Sequence, residues 1–400
     1  MAAKRIAILG STGSIGRQSL EVIAATDSLS ACALAAGSNW QLLADQARRF
    51  RPECVAISDA QAAGHLRPLL STGVDLLAGP SAMTDLVRRS RPDVVLSGVV
   101  GSAGLAPTLA AIEIGATLAI ANKETLVMAG AIVMPAARKA AVPVLPVDSE
   151  HSAIFQCLAA GRRQEVARVV ITASGGALRG WDHDRADQAT VAQALNHPTW
   201  QMGKKVTIDS ATLINKALEV IEAHWLFDLA PDQIQVVLHP ESIVHSYVEF
   251  RDGSVIAQMS RPDMTLPIAY ALTYPHRLDR AVPPLDLPAL GKLTFSALQG
   301  RFARAVDLGY QAIARGGAGG AILNAANESA VQAFLDGRIR FGQIVPLVED
   351  VLNQAPQTTE VTLDALLEAD RWARRQVDAQ LAAGDPAPDP HAHTKTPGRT

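Results

Sequence analysis

Residues 5–16 read Arg5-Ile-Ala-Ile-Leu-Gly-Ser-Thr-Gly-Ser-Ile-Gly16. The apolar run Ile6 to Leu9 does not alternate with polar residues, and it stops at Gly10. Such a run is a strand covered on both faces, the habit of a parallel sheet. Glycines at 10, 13 and 16 let the backbone turn tightly and approach a pyrophosphate. A helix opening at Ser14 would add free N–H groups and a positive dipole end. The GxxGxxG spacing is one residue longer than the standard dinucleotide fingerprint. Its place between a strand and a helix makes it a phosphate loop, with a ligand-free glycine turn as the alternative.

Working outward, similar runs occur at Ala31–Ala36, Cys54–Ile57, Val94–Ser97, Thr117–Ala121 and Val142–Val147. Helix-length segments such as Ser14–Ala25 and Trp40–Arg49 separate them. The pattern predicts an α/β fold with an N-terminal, Rossmann-like, doubly wound parallel sheet over residues 1–147. Beyond Val147 come a strand at Arg168–Ala173, a polar loop, a long helix at Ser210–Phe227 and a strand at Gln235–Leu238. A hairpin follows, with arms Ile243–Phe250 and Ser254–Met259 and a turn at Asp252-Gly253. Residues 148–280 are therefore expected to form an α+β unit. Residues 281–300, with Pro283, Pro284 and Pro288, read as a linker. Residues 301–383 read as a C-terminal helical domain, with Leu347, Val348, Val351 and Leu352 at helical spacing. The Pro-, His- and Thr-rich tail 384–400 is predicted to be disordered.

Composition narrows the function classes. The 400 residues carry 36 basic and 39 acidic side chains, a net charge of −3, so there is no electrostatic footprint for nucleic acid. Cys32, Cys54 and Cys157 give neither a disulfide framework nor a zinc spacing. The run Ile6–Leu9 is too short for a secretory segment, and no later stretch suits a membrane span. A cytoplasmic protein without a membrane partner is expected.

Several residues point to chemistry. An NAD site usually has an acid about 20 residues past the glycine turn. Here the second strand ends Ala35-Ala36-Gly37-Ser38-Asn39, which favours NADP. Asp148-Ser149-Glu150 follows the strand Val142–Val147. In extended backbone the two carboxylates point the same way, which is costly unless a cation lies between them, and oxygen ligands indicate Mg²⁺ or Mn²⁺. The alternative is a helix start capped by Ser149. On the long helix, Leu213, Leu218, Ile221 and Trp225 form the buried stripe. Asn215, Glu219 and Glu222 share another side, with Lys216 beside Glu219. That side is either a substrate floor or a solvated face with an ion pair. Ser174-Gly175-Gly176 can present a hydroxyl and open N–H groups to an anion. Asn196–Lys205, containing His197, Trp200, Met202 and Gly203, has the make-up of a lid unless Trp200 docks into the core.

Taken together these motifs resemble the 1-deoxy-D-xylulose 5-phosphate reductoisomerase family. The match is carried by Gly10–Gly16, Ala121-Asn-Lys-Glu124, Pro146-Val-Asp-Ser-Glu-His151, Ser174-Gly-Gly176 and His197-Pro-Thr-Trp-Gln-Met-Gly-Lys204. It continues through Asp209-Ser-Ala-Thr212, Asn215-Lys216, Leu218-Glu219, His239-Pro240, Pro262-Asp-Met264 and Leu323-Asn-Ala-Ala-Asn-Glu328. The resemblance implies NADPH-dependent rearrangement and reduction of a small phosphorylated sugar, 1-deoxy-D-xylulose 5-phosphate. It also implies a divalent cation (Mn²⁺, Mg²⁺ or Co²⁺) and a homodimer. Asp148, Glu150 and Glu219 would hold the metal, and with Lys123 they would form the catalytic group. Ser174, Ser210, Asn215 and Lys216 would bind the phosphate end, with His197 close by. Lys123 and Ser149 would meet the reacting oxygens, under Trp200 and Met202. Thr12, Gly13, Ser14, Ile15, Gly37, Ser38, Asn39, Asn122, Glu124 and Gly203 would line the NADPH site. Ser38 stands where the family often has a basic residue, which shifts 2′-phosphate recognition to other groups, Arg17 among them. Arg261 and Thr265 depart from the family pattern near the hairpin, the region the family uses for dimer packing.

Overall fold

The structure, a computed structural model, describes residues 3–358 and 361–383. The predicted disordered tail 384–400 lies outside the described residues. Seven parallel strands make the first sheet: β1 (Lys4–Leu9), β2 (Leu29–Ala36), β3 (Cys54–Ile57), β4 (Asp75–Ala78), β5 (Val94–Ser97), β6 (Thr117–Ile120) and β7 (Val144–Pro146). Their order is β4-β3-β2-β1-β5-β6-β7. Ala7 and Leu9 of β1 join one core and Ile6 and Ile8 the other, all without exposure, which is why this strand needs apolar residues at every position. The strand β4 escaped sequence reading because it is a short edge strand. Its ends are exposed, and Asp75 pairs with Arg89 at 2.5 Å.

Chain order reverses between β2 and β5, on either side of β1. This is the switch point where open α/β sheets hold their ligands. The glycine turn sits there, tied to β2 by Gly10 N and Ser11 N donating to Ala35 O at 2.9 and 2.8 Å. A Cβ on Gly16 would stand 2.5 Å from Ser11 Cα, so only glycine lets the helix Ser14–Ala24 press against the turn. Gly13 caps that helix with no side-chain bond, leaving the first-turn N–H groups open.

The second sheet contains β8 (Val166–Ala173), β9 (Ile234–Leu238), β10 (Val244–Phe250), β11 (Val255–Met259) and β12 (Ser296–Ala297), in the order β11-β10-β8-β9-β12. Only β8 and β9 pair in parallel; β10 with β11 is the expected hairpin. The segment read as a linker is more structured than expected. It holds a short helix, Leu287–Leu290, and β12, which pairs with β9.

The expected long helix is two helices, Lys204–Thr212 and Ile214–Phe227. They break at Leu213, whose φ is +65°, and Thr212 Oγ1 accepts from Ile214 N at 3.2 Å. The break left no mark in the sequence because Leu213 is buried like its apolar neighbours. The C-terminal part is helical as expected: Gly300–Arg315, Gly319–Leu335, Ile344–Gln354 and Leu363–Ala383. Helix Gly319–Leu335 is the most enclosed. It packs on helices Lys123–Lys139 and Leu363–Ala383, so one core runs from Leu9 through Leu218 to Leu323. Helix Thr265–Thr273 turns back onto the first sheet, where Ile268 and Leu272 meet the core of Ile6 and Ile8. None of the described helices is long and apolar enough to cross a membrane.

Candidate active site

The ends of β1, β6, β7 and β8 open into one cleft. It is lined at one end by Ser14 and Ile15 of the glycine turn. In the middle lie Lys123, Asp148, Ser149, Glu150, Asn215, Lys216 and Glu219, and at the far end Ser174 and Ser210. Trp200, Met202 and Gly203 line it as well.

The carboxylate centre is built from helix starts. Asp148 does not continue the strand. It caps the helix Ser149–Leu158, and its Oδ1 accepts from Glu150 N at 3.1 Å. The extended reading of Asp148-Ser149-Glu150 is thus corrected, and the cap is Asp148, not Ser149. The carboxylates converge all the same, because Glu150 stands in the first turn and helix Ile214–Phe227 brings Glu219 in from the other side. One oxygen from each of Asp148, Glu150 and Glu219 lies within 4.8 Å of the others. Lys123, in the first turn after β6, donates from Nζ to Asp148 Oδ2 (2.9 Å), Asn215 Oδ1 (2.9 Å) and Glu219 Oε1 (3.1 Å). Lys216 Nζ donates to Glu219 Oε2 at 2.7 Å and to Glu150. Asn215 also donates to Glu219, and Ser149 Oγ to Glu150. Lys216, Glu219 and Glu222 are all buried, which excludes a solvated helix face.

The charges do not balance. Two ammonium groups face three carboxylates, and the protonation tendencies show the residue. Burial opposes the charge on Lys123, but Asp148, Glu219 and Glu222 more than offset it and hold the ammonium well above its ordinary range. Burial also opposes the charge on Asp148, yet Lys123 and His151 keep it well below the usual carboxylate range. Glu219 goes the other way: burial outweighs the lysines and raises it. A divalent cation would relieve that excess negative charge, and an all-oxygen trio suits a hard ion. The residues therefore fit the metal.

At the anion end, Ser174 Oγ accepts from Gly176 N at 3.2 Å. His197 Nδ1 accepts from Thr199 N and Trp200 N at 3.1 and 2.9 Å. Its Nε2 therefore carries the hydrogen and donates to Ser174 Oγ at 3.0 Å. Burial, then Arg179 and Lys216, push His197 down to about 4, so the ring is neutral at physiological pH. Ser210 lies in the last turn of helix Lys204–Thr212, not at the start of a long helix as the sequence suggested. The Gly176 backbone packs on it: a Cβ there would be 2.6 Å from Ala211 Cα. Trp200 is half-buried over the cleft with its ring 6.2 Å from His245, not docked in the core.

Of the expected cofactor residues, Thr12 and Gly13 lie in the glycine turn, and Gly37, Ser38 and Asn39 are exposed at the end of β2. Asn39 Oδ1 is occupied, accepting from Leu42 N at 3.1 Å as a helix cap. Asn122 caps helix Lys123–Lys139 and donates to Val99 O (2.7 Å) and Gly101 O (3.1 Å); Glu124 is buried beside it.

Models of known families match nearly the whole length. The model for 1-deoxy-D-xylulose 5-phosphate reductoisomerase matches residues 6–130, and that for its C-terminal domain residues 144–227. A further model, the DXP reductoisomerase C-terminal domain, matches residues 259–376. The 1-deoxy-D-xylulose 5-phosphate reductoisomerase of Synechococcus sp. (strain JA-2-3B'a(2-13)) is 50% identical over 387 residues, covering 96% of this chain and 98% of that protein. This chain belongs to the 1-deoxy-D-xylulose 5-phosphate reductoisomerase family. The family member from Chloroherpeton thalassium is 49% identical, covering 94% of this chain and 97% of its own length. Among solved structures, the Zymomonas mobilis family member in complex with NADPH superposes with a TM-score of 0.89 at 39% identity, covering 95% and 99% of the two chains. Another family structure, in complex with NADPH, fosmidomycin and magnesium, gives 0.89 at 38% identity, covering 95% and 98%.

Sequence reasoning set Glu222 on the substrate-floor side of the long helix, but it does not line the cleft, and His151, Ser242 and His245 had no role assigned. His151 and Glu222 are wholly buried and face each other, with His151 Nδ1 3.1 Å from a Glu222 oxygen and 3.4 Å from Asp148. Burial opposes the imidazolium, but Glu222 and Asp148 hold His151 well above its ordinary value. His151 lay inside a quoted motif and Glu222 on a named helix side, yet no spacing rule pairs residues 71 positions apart. His245 and Ser242 reach the cleft from β10 and the turn before it. His245 Nε2 bonds Ser260 Oγ at 2.8 Å, and burial pushes it down to about 4. A lone histidine in an apolar strand gave no signal.

Proposed function

We propose that this chain converts 1-deoxy-D-xylulose 5-phosphate to 2-C-methyl-D-erythritol 4-phosphate with NADPH, the first committed step of the non-mevalonate route to isoprenoid precursors. The observation that carries this reading is the single cleft. In it three converging carboxylates lie between a dinucleotide switch point and a Ser-Gly-Gly anion loop, beneath a tryptophan-bearing segment. Asp148, Glu150 and Glu219 would hold the divalent cation, Mn²⁺, Mg²⁺ or Co²⁺. When bound, it supplies Lewis-acid polarisation of adjacent carbonyl and hydroxyl oxygens.

The chain's own groups do the rest. Ser174, Ser210, Asn215 and Lys216 bind the phosphate, and His197, whose Nε2–H goes to Ser174 Oγ, leaves that hydroxyl's own hydrogen for the anion. That remote anchor supplies binding energy for orientation and closure. Lys123, held charged by its carboxylate neighbours, orients the reacting oxygens with Ser149. Trp200 and Met202 would shut water away from the reacting carbons, where bound NADPH would supply the hydride. Thr12, Gly13, Ser14, Ile15, Gly37, Ser38, Asn39, Asn122, Glu124 and Gly203 seat the cofactor. Residues 1–147 act as the cofactor domain, 148–280 as the catalytic and dimerisation domain, and 301–383 as a helical domain beyond the connector 281–300. A homodimer working in the cytoplasm is part of the same proposal. Support for pairing comes from edge strand β11, where Val255 and Ile256 are 53% and 38% exposed, a ready template for a second copy.

The test is absorbance at 340 nm with NADPH, Mn²⁺ and 1-deoxy-D-xylulose 5-phosphate, with and without EDTA. Substrate-dependent NADPH loss that EDTA abolishes is expected, with the product confirmed by NMR. Folded, NADPH-binding protein that consumes no NADPH would overturn the assignment.

A further inference from the structure

The motif Leu323-Asn-Ala-Ala-Asn-Glu328 has no place in the chemistry above, yet it is almost wholly buried. Its helix starts a polar chain that runs behind the cleft, next in sequence to the lining residues Lys123 and Ser210. Asn327 Nδ2 donates to Asp209 Oδ1 at 2.9 Å. Asp209 Oδ2 pairs with Lys205 Nζ at 2.7 Å, and Lys205 Nζ lies 3.7 Å from Glu124 Oε1. Glu124 in turn accepts from Asn122 Nδ2 at 3.2 Å. Asn327 and Asp209 are 0% and 1% exposed, so their contact is interior, while the partly exposed Lys205 is screened only in part.

Position gives the chain its meaning. Lys205 stands in the first turn of helix Lys204–Thr212, two residues after Gly203 at the end of the lid segment. Glu124 directly follows Lys123. The Lys205–Glu124 pair therefore ties the base of the lid segment to the first turn of helix Lys123–Lys139, and Asn327 anchors it through Asp209 to the C-terminal helices. Burying an ion pair costs more desolvation than apolar residues of the same shape would, so its gain is in fixing one arrangement rather than in raw stability. Burial opposes the charge on Lys205, and Asp209 and Glu124 overcome it.

We propose that Lys205 and Asn327 are positioning residues that set Gly203 and Glu124 against each other for NADPH, acting through Asp209. This rests on the reductoisomerase reading for the identity of the cofactor. It goes beyond that reading in giving the C-terminal helical part a role in cofactor seating.

The experiment measures binding as well as turnover. NADPH affinity is read from protein fluorescence, and Mn²⁺ affinity, with Mn²⁺ alone, from its EPR signal. The proteins are wild type, Lys205→Met, Asn327→Ala and the double variant, with melting curves for each. Lys205→Met and Asn327→Ala are each expected to weaken NADPH roughly tenfold, a modest misplacement on the scale of effects from shifted site groups. Mn²⁺ affinity should stay within about twofold, because Asp148, Glu150 and Glu219 lie outside the tie. In the double variant, Asn327→Ala should add nothing to Lys205→Met, since it acts through the same link. Unchanged NADPH affinity in both single variants, parallel loss of NADPH and Mn²⁺ binding, or multiplying effects would each overturn the proposal. If Lys205→Met does not fold, Lys205→Gln takes its place under the same criteria. Wild-type protein that binds NADPH but turns over no substrate would sink the proposed reaction and leave this test standing.

Discussion

The anion loop offers a comparison between adjacent glycines. Gly175 and Gly176 both have positive φ, +84° and +68°. Alanine at either pays about 1–2 kcal/mol for the left-handed backbone. They differ in what the new Cβ meets. At Gly175 the nearest atoms are Arg179 Cδ and Cγ, at 2.8 and 2.9 Å, the flexible part of a side chain that can move aside. At Gly176 they are backbone: 2.6 Å from Ala211 Cα and 2.7 Å from the Ser210 carbonyl carbon. Ordinary contact begins near 3.4 Å, so the loop and the Ser210 turn must part by roughly 1 Å. A displacement of that size between two halves of a binding site costs on the order of 100-fold, or about 2.7 kcal/mol. Gly176→Ala should therefore raise KM for the sugar phosphate by roughly 100-fold, and Gly175→Ala by less than about tenfold. Steady-state NADPH oxidation over a substrate series measures both, and melting curves check that each folds. Equal KM values in two folded variants would refute the claim that contact between Gly176 and Ser210 shapes the anion site.

Glu219→Gln keeps the side chain's size and removes its charge. Turnover should fall by at least roughly 100-fold while NADPH affinity by fluorescence stays unchanged, and full turnover at saturating Mn²⁺ would remove Glu219 from the metal's ligands. His197 and His245 both titrate near 4 in the folded protein, against the ordinary 6.5, chiefly because burial disfavours the charged ring. The unfolded chain binds those protons first, so their contribution to stability is whole above pH 6.5 and declines as pH falls towards 4. For the nearly enclosed His245 the loss approaches about 3 kcal/mol, and for the more accessible His197 it is smaller. Melting temperature followed from pH 7 to 4.5 should fall less steeply for His245→Gln than for wild type. Identical slopes would show that the ring is not held neutral.

How far the sequence reaches is clearest in individual residues. Ile6–Leu9, closed by Gly10, was legible as a strand buried on both faces, because period and burial are local properties of a parallel strand. The family motifs were legible because runs such as His197-Pro-Thr-Trp-Gln-Met-Gly are long and specific. Asp148-Ser149-Glu150 was legible as a carboxylate pair and, equally, as a helix start, but the sequence did not choose between the two and put the cap one residue late at Ser149, since a cap depends on where the chain turns next. Leu213 hid a helix break, because its own residue type opposes the φ it adopts and only packing enforces it.

By itself, then, the sequence determined the residue chemistry: glycines that can approach a phosphate, oxygen ligands for a hard cation, lysines to face them, and the periodicity of each element. Only the tertiary structure decided which of these meet. Lys123, Asp148 and Glu219 come from three separate helix starts and faces yet share bonds of 2.9 and 3.1 Å. Asn327 reaches Asp209 across 118 positions. The physical reason is range: hydrophobic period and backbone propensity act over a few neighbours. Desolvation and charge pairing act only where the fold has already brought distant side chains together out of water.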